Sequence, residues 1–244
     1  MHRGTCLQVN PVHRRSVLGG GAALGGLLWA GAEAKPMTHV AILGDSIFDN
    51  KAYFGGAPDV RAQVQAMLPE FEVSSAARDG AVIADIASQL GQLPRTTTHM
   101  VVSIGGNDAI RASGVIDESA TSVFSALEKI AMVAEPFAQS YARMVRLLSE
   151  RSIPIALCTI YDPRFPDLGR RRVSTTALTV LNDAITRQAF GTRASLIDLR
   201  LICNQDEDFA NSIEPSVLGG GKIARAIAAF AKGTGATAAV FGQS

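Results

Sequence analysis

The chain has 244 residues, 47% of them hydrophobic and 18% charged, with a mean hydropathy of +0.18. It is long and apolar enough to bury one substantial core, which excludes a disordered chain. Its 23 basic and 22 acidic residues nearly cancel, and setting aside Arg3, Arg14, Arg15 and Glu33 leaves the remainder near neutral, against the electrostatic footprint of a nucleic-acid binder.

The N-terminal stretch reads as a targeting segment. Arg14-Arg15-Ser16-Val17-Leu18 precedes a Gly- and Ala-rich, weakly apolar run through Trp29 and then Ala32-Glu33-Ala34, a small-residue cleavage pattern. This order resembles a twin-arginine export signal over residues 1–34, with residues 35–244 as the mature domain in the periplasm or outside the cell. Glycines 19, 20, 21, 25 and 26 interrupt the apolar run, so no stable membrane span is expected. The competing reading takes Met37 as the true start of a cytoplasmic protein; the order of arginine pair, apolar run and Ala-x-Ala favours export.

From residue 39 onward, strand and helix patterns alternate. His39-Val40-Ala41-Ile42-Leu43, bounded by Gly44, reads as a buried parallel strand. Pro58 suits the first turn of a helix striped by Val60, Val64, Met67 and Leu68, which Pro69 ends. Residues 71–75 form a second strand, Ile83, Ile86 and Leu90 mark a helix, and residues 100–104 a third strand. Two helical patterns follow, Val123 to Ala131 and Phe137 to Leu148, with Pro136 between them. Residues 154–160 are a fourth strand, Leu178, Leu181 and Ile185 stripe a helix, and residues 196–199 are a fifth strand. The final helix starts from Ser216, an N-cap candidate, with Ile223, Ile227 and Phe230 inward. Such alternation implies right-handed crossovers and an α/β fold, a three-layer α/β/α sandwich around a parallel five-stranded sheet.

Chemistry-bearing residues fall where strands end. Gly44-Asp45-Ser46 follows the first strand, Asp79-Gly80-Ala81 the second and Gly105-Gly106-Asn107-Asp108 the third. Ligands of open α/β sheets bind outside these carboxyl ends, so a serine hydroxyl there is a candidate nucleophile. Taken singly, each is also an ordinary turn former. Together, Gly44-Asp45-Ser46-Ile47-Phe48-Asp49-Asn50 and the two later blocks resemble the SGNH/GDSL hydrolases, a family of esterases and lipases. The resemblance covers roughly residues 39–231. It implies the flavodoxin-like strand order 2-1-3-4-5, Ser46 as nucleophile, and the Gly80 N–H and the Asn107 amide as oxyanion donors.

The last block departs from the family. Its members carry Asp-x-x-His-Pro before the final helix, the histidine being the general base and the aspartate its orienter. Here the stretch is Asn211-Ser212-Ile213-Glu214-Pro215-Ser216, so Asn211 and Glu214 take those places. His39 and His99 begin strands, at the sheet end away from the site. Glu214 is either the base, its pKa raised by burial and oriented by the Asn211 amide, or a solvated helix-start carboxylate with no catalytic part.

Other features say less. Tyr161-Asp162-Pro163-Arg164 suits the crevice or a plain turn, Arg170-Arg171-Arg172 reads as a solvated basic face, and no second ligand cluster accompanies Asp206-Glu207-Asp208. Cys6 falls in the targeting segment, Cys158 in a strand and Cys203 in a loop, too few for a disulfide framework. The expectation is a serine esterase acting on a small-molecule ester, with no cofactor and no metal. A silent binding protein for an ester, lipid or glycan ligand, and a transferase using the same acyl-enzyme, are the alternatives.

Overall fold

Strand β1 (His39–Gly44) is buried at every position, and its side chains alternate between two separate cores. Val40 and Ile42 point to one face of the sheet, Ala41 and Leu43 to the other, as the two-residue period of a strand requires. The computed structural model describes residues 37–234; the export signal expected over residues 1–34 lies outside them.

Strands β2 (Glu72–Ser75), β3 (His99–Ser103), β4 (Ile155–Cys158) and β5 (Ser195–Ile197) complete an all-parallel sheet in the order β2-β1-β3-β4-β5. Helices α1 (Val60–Met67) and α7 (Val217–Lys232) pack together on the Val40 and Ile42 face. Helices α2 (Ile86–Gly91), α4 (Val123–Ser149) and α5 (Leu168–Gly191) cover the other. The short helices α3 (Gly106–Ala112) and α6 (Leu199–Ile202) follow β3 and β5. The order places the switch of winding direction between β1 and β3, where the loops after these strands part to leave a crevice.

Two expectations need correction. The patterns on either side of Pro136 belong to one helix of 27 residues, α4, which Pro136 does not break. Proline deprives the carbonyl four residues earlier of its partner, here that of Met132; Pro136 and Met132 are both exposed, so water can take that place. Pro58 precedes rather than opens α1: Asp59 is the N-cap, its carboxylate accepting from the Ala62 N–H at 2.7 Å. Ser216 caps α7 as expected, accepting from the Gly219 N–H. No helix among the described residues is long and apolar enough to cross a membrane.

Candidate active site

Gly44 brings β1 so close to β3 that a Cβ on it would lie 1.9 Å from the Ser103 carbonyl oxygen, and its φ of +142° is one that side chains rarely allow. Directly after it the chain turns. The Asp45 N–H donates to the Ser103 carbonyl, and the Asp45 carbonyl accepts from the N–H groups of Phe48 and Asp49. Ser46 sits at the start of this turn. Gln89, buried on α2, clamps the Gly44 peptide groups: its Oε1 accepts from the Gly44 N–H and its Nε2 donates to the Gly44 carbonyl, both at 2.8 Å. Fully buried Asn50 fixes the far end by donating to the Ile47 carbonyl and accepting from the Val60 N–H.

The Ser46 hydroxyl donates to Oε1 of Glu214 at 2.8 Å, and both residues are buried. Glu214 is therefore not a solvated helix-start carboxylate. Its second oxygen, Oε2, is buried with no partner among the described residues. Burial, with the Asp79 charge adding to it, pushes the Glu214 pKa up to about 7 against the opposing hydrogen bond from Ser46. Asp45, fully buried beside Ser46 in sequence, is also pushed up to about 7, chiefly by burial.

The loop carrying Glu214 is held from several sides. Phe209 and Pro215 pair as an antiparallel bridge, and the Ala210 N–H donates to the Glu214 carbonyl. The Tyr161 hydroxyl, at the end of β4, donates to the Ile213 carbonyl, while the Arg164 N–H donates to that of Ser212. Asn211 does not orient the Glu214 carboxylate through its amide. Its Oδ1 accepts from the backbone N–H groups of Ile213 and Glu214, because a side chain so close in sequence reaches the turn's own donors first.

Ser46, Asn107 and Glu214 line one cavity of about 320 Å³ at the carboxyl end of the sheet. Asn107 donates one amide hydrogen to the Ala81 carbonyl at 3.0 Å, which ties the loop after β3 to the loop after β2; its Nδ2 has a second hydrogen to give. Gly80, at φ +75°, lies on that second loop and borders a smaller recess with Asp79 and Ala81, not the main cavity. Asp108 turns away from the crevice to accept from the Ile83 N–H.

A sequence profile described as the GDSL-like Lipase/Acylhydrolase family matches residues 42–219. The chain belongs to this family. Its fold resembles that of an extracellular lipase from Streptomyces rimosus, at 16% identity over 76% of this chain and 95% of that one with a TM-score of 0.57. A phospholipase A1 from Streptomyces albidoflavus is similar at 15% identity, 82% and 100% coverage and a TM-score of 0.58. So is a putative GDSL-like lipase from Parabacteroides merdae, at 12% identity, 82% and 98% coverage and a TM-score of 0.62. A search of curated protein sequences gave no match.

Within this GDSL-like chain, the remaining candidates have other occupations. His39 is buried and meets the Ser74 hydroxyl at 2.7 Å, and His99 meets Thr98, both at the start of their strands. Arg170 and Arg171 pair with Asp117 and Asp206, and Asp208 pairs with Lys222. The Arg170-Arg171-Arg172 run is thus partly engaged, and Asp206 and Asp208 already hold cations of the chain itself. Cys158 and Cys203 are both buried and free. Gln89 is legible in the sequence only as a glutamine between Ile86 and Leu90 on an inward helical stripe, a buried polar group that needs a partner; its partner, Gly44, is not.

Proposed function

We propose that the protein is a serine esterase that works through an acyl-enzyme on Ser46, with Glu214 as the general base. The observation that carries this reading is the 2.8 Å hydrogen bond from the Ser46 hydroxyl to a buried carboxylate whose pKa is near neutrality. A base tuned near the working pH balances being ionised against being strong enough to take a proton.

Ser46 Oγ attacks the ester carbonyl carbon as its proton passes to Glu214 Oε1. The new C–O bond leaves a negative charge on the former carbonyl oxygen, held by the Ser46 N–H and the free Asn107 amide hydrogen, the two donors that line the cavity. Such fixed donors lower a barrier because they need no reorganisation as charge develops. Collapse breaks the bond to the alcohol oxygen, which takes the proton from Glu214. Water then adds to the acyl carbon, giving its proton to Glu214, and the carboxylic acid leaves as Ser46 recovers a proton.

The second reading, a silent binding protein, is favoured by Glu214 and Asn211 standing where the family has histidine and aspartate. A screen of esters with Ser46→Ala as control, together with covalent labelling by a fluorophosphonate located by mass spectrometry, separates the two. Turnover and a label on Ser46 are expected. Turnover that survives Ser46→Ala unchanged excludes the nucleophile. A chain inert to esters and to the label, and inert even as Glu214→His with Asn211→Asp, is a binding protein.

A further inference from the structure

The cavity that opens at Ser46 is much larger than an acetyl group needs. It runs between α3, the 3-10 turn at Ser113–Asp117, α4 and α5, and its volume of about 320 Å³ falls at the lower end of small-molecule sites, roughly 300–1,000 Å³. Its wall is apolar, with Ile104 from the loop after β3 and Ala109, Ile130, Val133, Leu178 and Leu181 from three helices. The charged groups that touch it are at the nucleophile, Asp45 and Glu214, or already engaged. Arg170 is held by both carboxylate oxygens of Asp117, at 2.9 and 3.1 Å. The Thr159 hydroxyl donates to Asp198 and accepts from the Leu199 N–H. Apart from the hydroxyls of Ser103, Ser113, Ser174 and Ser212, the wall offers a polar acyl group little to replace the water it would lose on entering.

The apolar surface does not stop at the cavity. On α4 the lining residue Ile130 continues, three and four residues at a time, into Leu127 and Val123, both well exposed, and on α3 Ile110 both lines the cavity and is half exposed.

We propose, resting on the serine esterase reading above, that this cavity is the acyl site and that it selects neutral, medium-chain fatty acyl groups of about octanoyl size. The ester carbonyl sits at Ser46, and the chain runs away from Asp45 and Glu214 along the walls of α4 and α5. Hydrophobic burial then makes chain length the specificity variable, and Arg170, the one cation at the wall among the described residues, has its charge offset by the Asp117 carboxylate, which weakens recognition of a carboxylated acyl group.

The test is a series of p-nitrophenyl esters from acetate to palmitate, run on the full chain. Each methylene from butyrate to octanoate should raise kcat/KM about 3- to 4-fold, on the order of 100-fold in all. Ala177→Phe and Val133→Phe, which fill the cavity from α5 and α4, should each lower the octanoate-to-butyrate ratio by at least 10-fold. Binding of ethyl octanoate and ethyl acetate to Ser46→Ala, measured by calorimetry, reads the cavity without catalysis; the octanoate should bind more tightly, and the added Phe should abolish that preference. A wild type that hydrolyses butyrate but gains nothing from longer chains, with no preference in the Ser46→Ala variant, overturns the proposal and leaves the esterase reading standing. A wild type inert to every ester, whose Ser46→Ala variant still prefers ethyl octanoate in a Phe-sensitive way, overturns the esterase reading while the cavity keeps its assignment.

Discussion

Ser46 and Glu214 are 168 positions apart in sequence and 2.8 Å apart in space, hydroxyl to carboxylate. The carboxylate that replaces the usual imidazole is thus a direct partner of the candidate nucleophile. The exchange has a chemical consequence: a carboxylate takes the proton without gaining positive charge, so it needs no second carboxylate behind it. The absence of an aspartate at position 211 is consistent with that, and the Asn211 side chain serves the backbone of the loop instead.

Asn107 carries the clearest energetic prediction among the proposed oxyanion donors. Asn107→Ala should lower kcat by roughly 100-fold or more, with a much smaller change in KM, because a donor aimed at the developing oxyanion acts mainly in the transition state. The substitution also removes the bond to the Ala81 carbonyl. Thermal unfolding of the variant separates the two effects: a loss of activity with the melting temperature nearly kept assigns it to the donor.

Much of this arrangement is legible in the sequence, and the parts that are not share a cause. The central strands announce themselves as short apolar runs, and because each strand end delivers its loop to one rim of a parallel sheet, the blocks there point to the region where Ser46 and Asn107 line one cavity and Gly80 borders the neighbouring recess. Pro215, Ser216, Gly219 and Gly220 fix where Glu214 falls relative to the last helix. Gly219 can hold no other residue without collision, since a Cβ there would lie 2.1 Å from the Asp208 carbonyl oxygen. The continuity of α4 through Pro136 depends on which face meets water, a tertiary fact. Gln89 and Tyr161 act on Gly44 and Ile213 across 45 and 52 positions, and local pattern carries no sign of a partner so far away.

Gln89 is expected to be a positioning residue for the loop that carries the proposed nucleophile, Ser46. Gln89→Leu keeps the volume roughly and leaves the buried Gly44 N–H without a partner, which should cost about 1–3 kcal/mol of stability. Gly44 precedes Asp45 and Ser46, so kcat should fall with KM nearly unchanged. A merely structural glutamine would show the stability loss alone, with kcat kept at temperatures well below unfolding.

Stability should fall as pH rises. Asp45 and Glu214 both have folded-state pKa values raised to about 7, while in the unfolded chain they titrate near 4. The folded state therefore binds more protons between these limits, and the stabilising contribution present below pH about 4 is lost as pH climbs through about 7. Denaturant unfolding between pH 5 and 8 should show this decline, and Asp45→Asn should flatten part of it.

Export through the twin-arginine route predicts that Arg14→Lys with Arg15→Lys traps the precursor in the cytoplasm, and that the mature protein begins at Lys35. N-terminal sequencing of protein recovered from each compartment checks it. Mature protein beginning at Met37 inside the cytoplasm would contradict it.

The most direct test of the central claim is the pH dependence of kcat/KM for a soluble ester, measured for the wild type and for Glu214→Gln. The base must be ionised to accept the Ser46 proton, so the wild-type value should rise about tenfold per pH unit below about pH 7 and then level. Glu214→Gln keeps the size and a hydrogen-bond acceptor but cannot take the proton; its rate should be lower by roughly 100- to 10,000-fold, with that rise gone. Full activity in Glu214→Gln, with the same profile as the wild type, would place the base elsewhere and contradict the account.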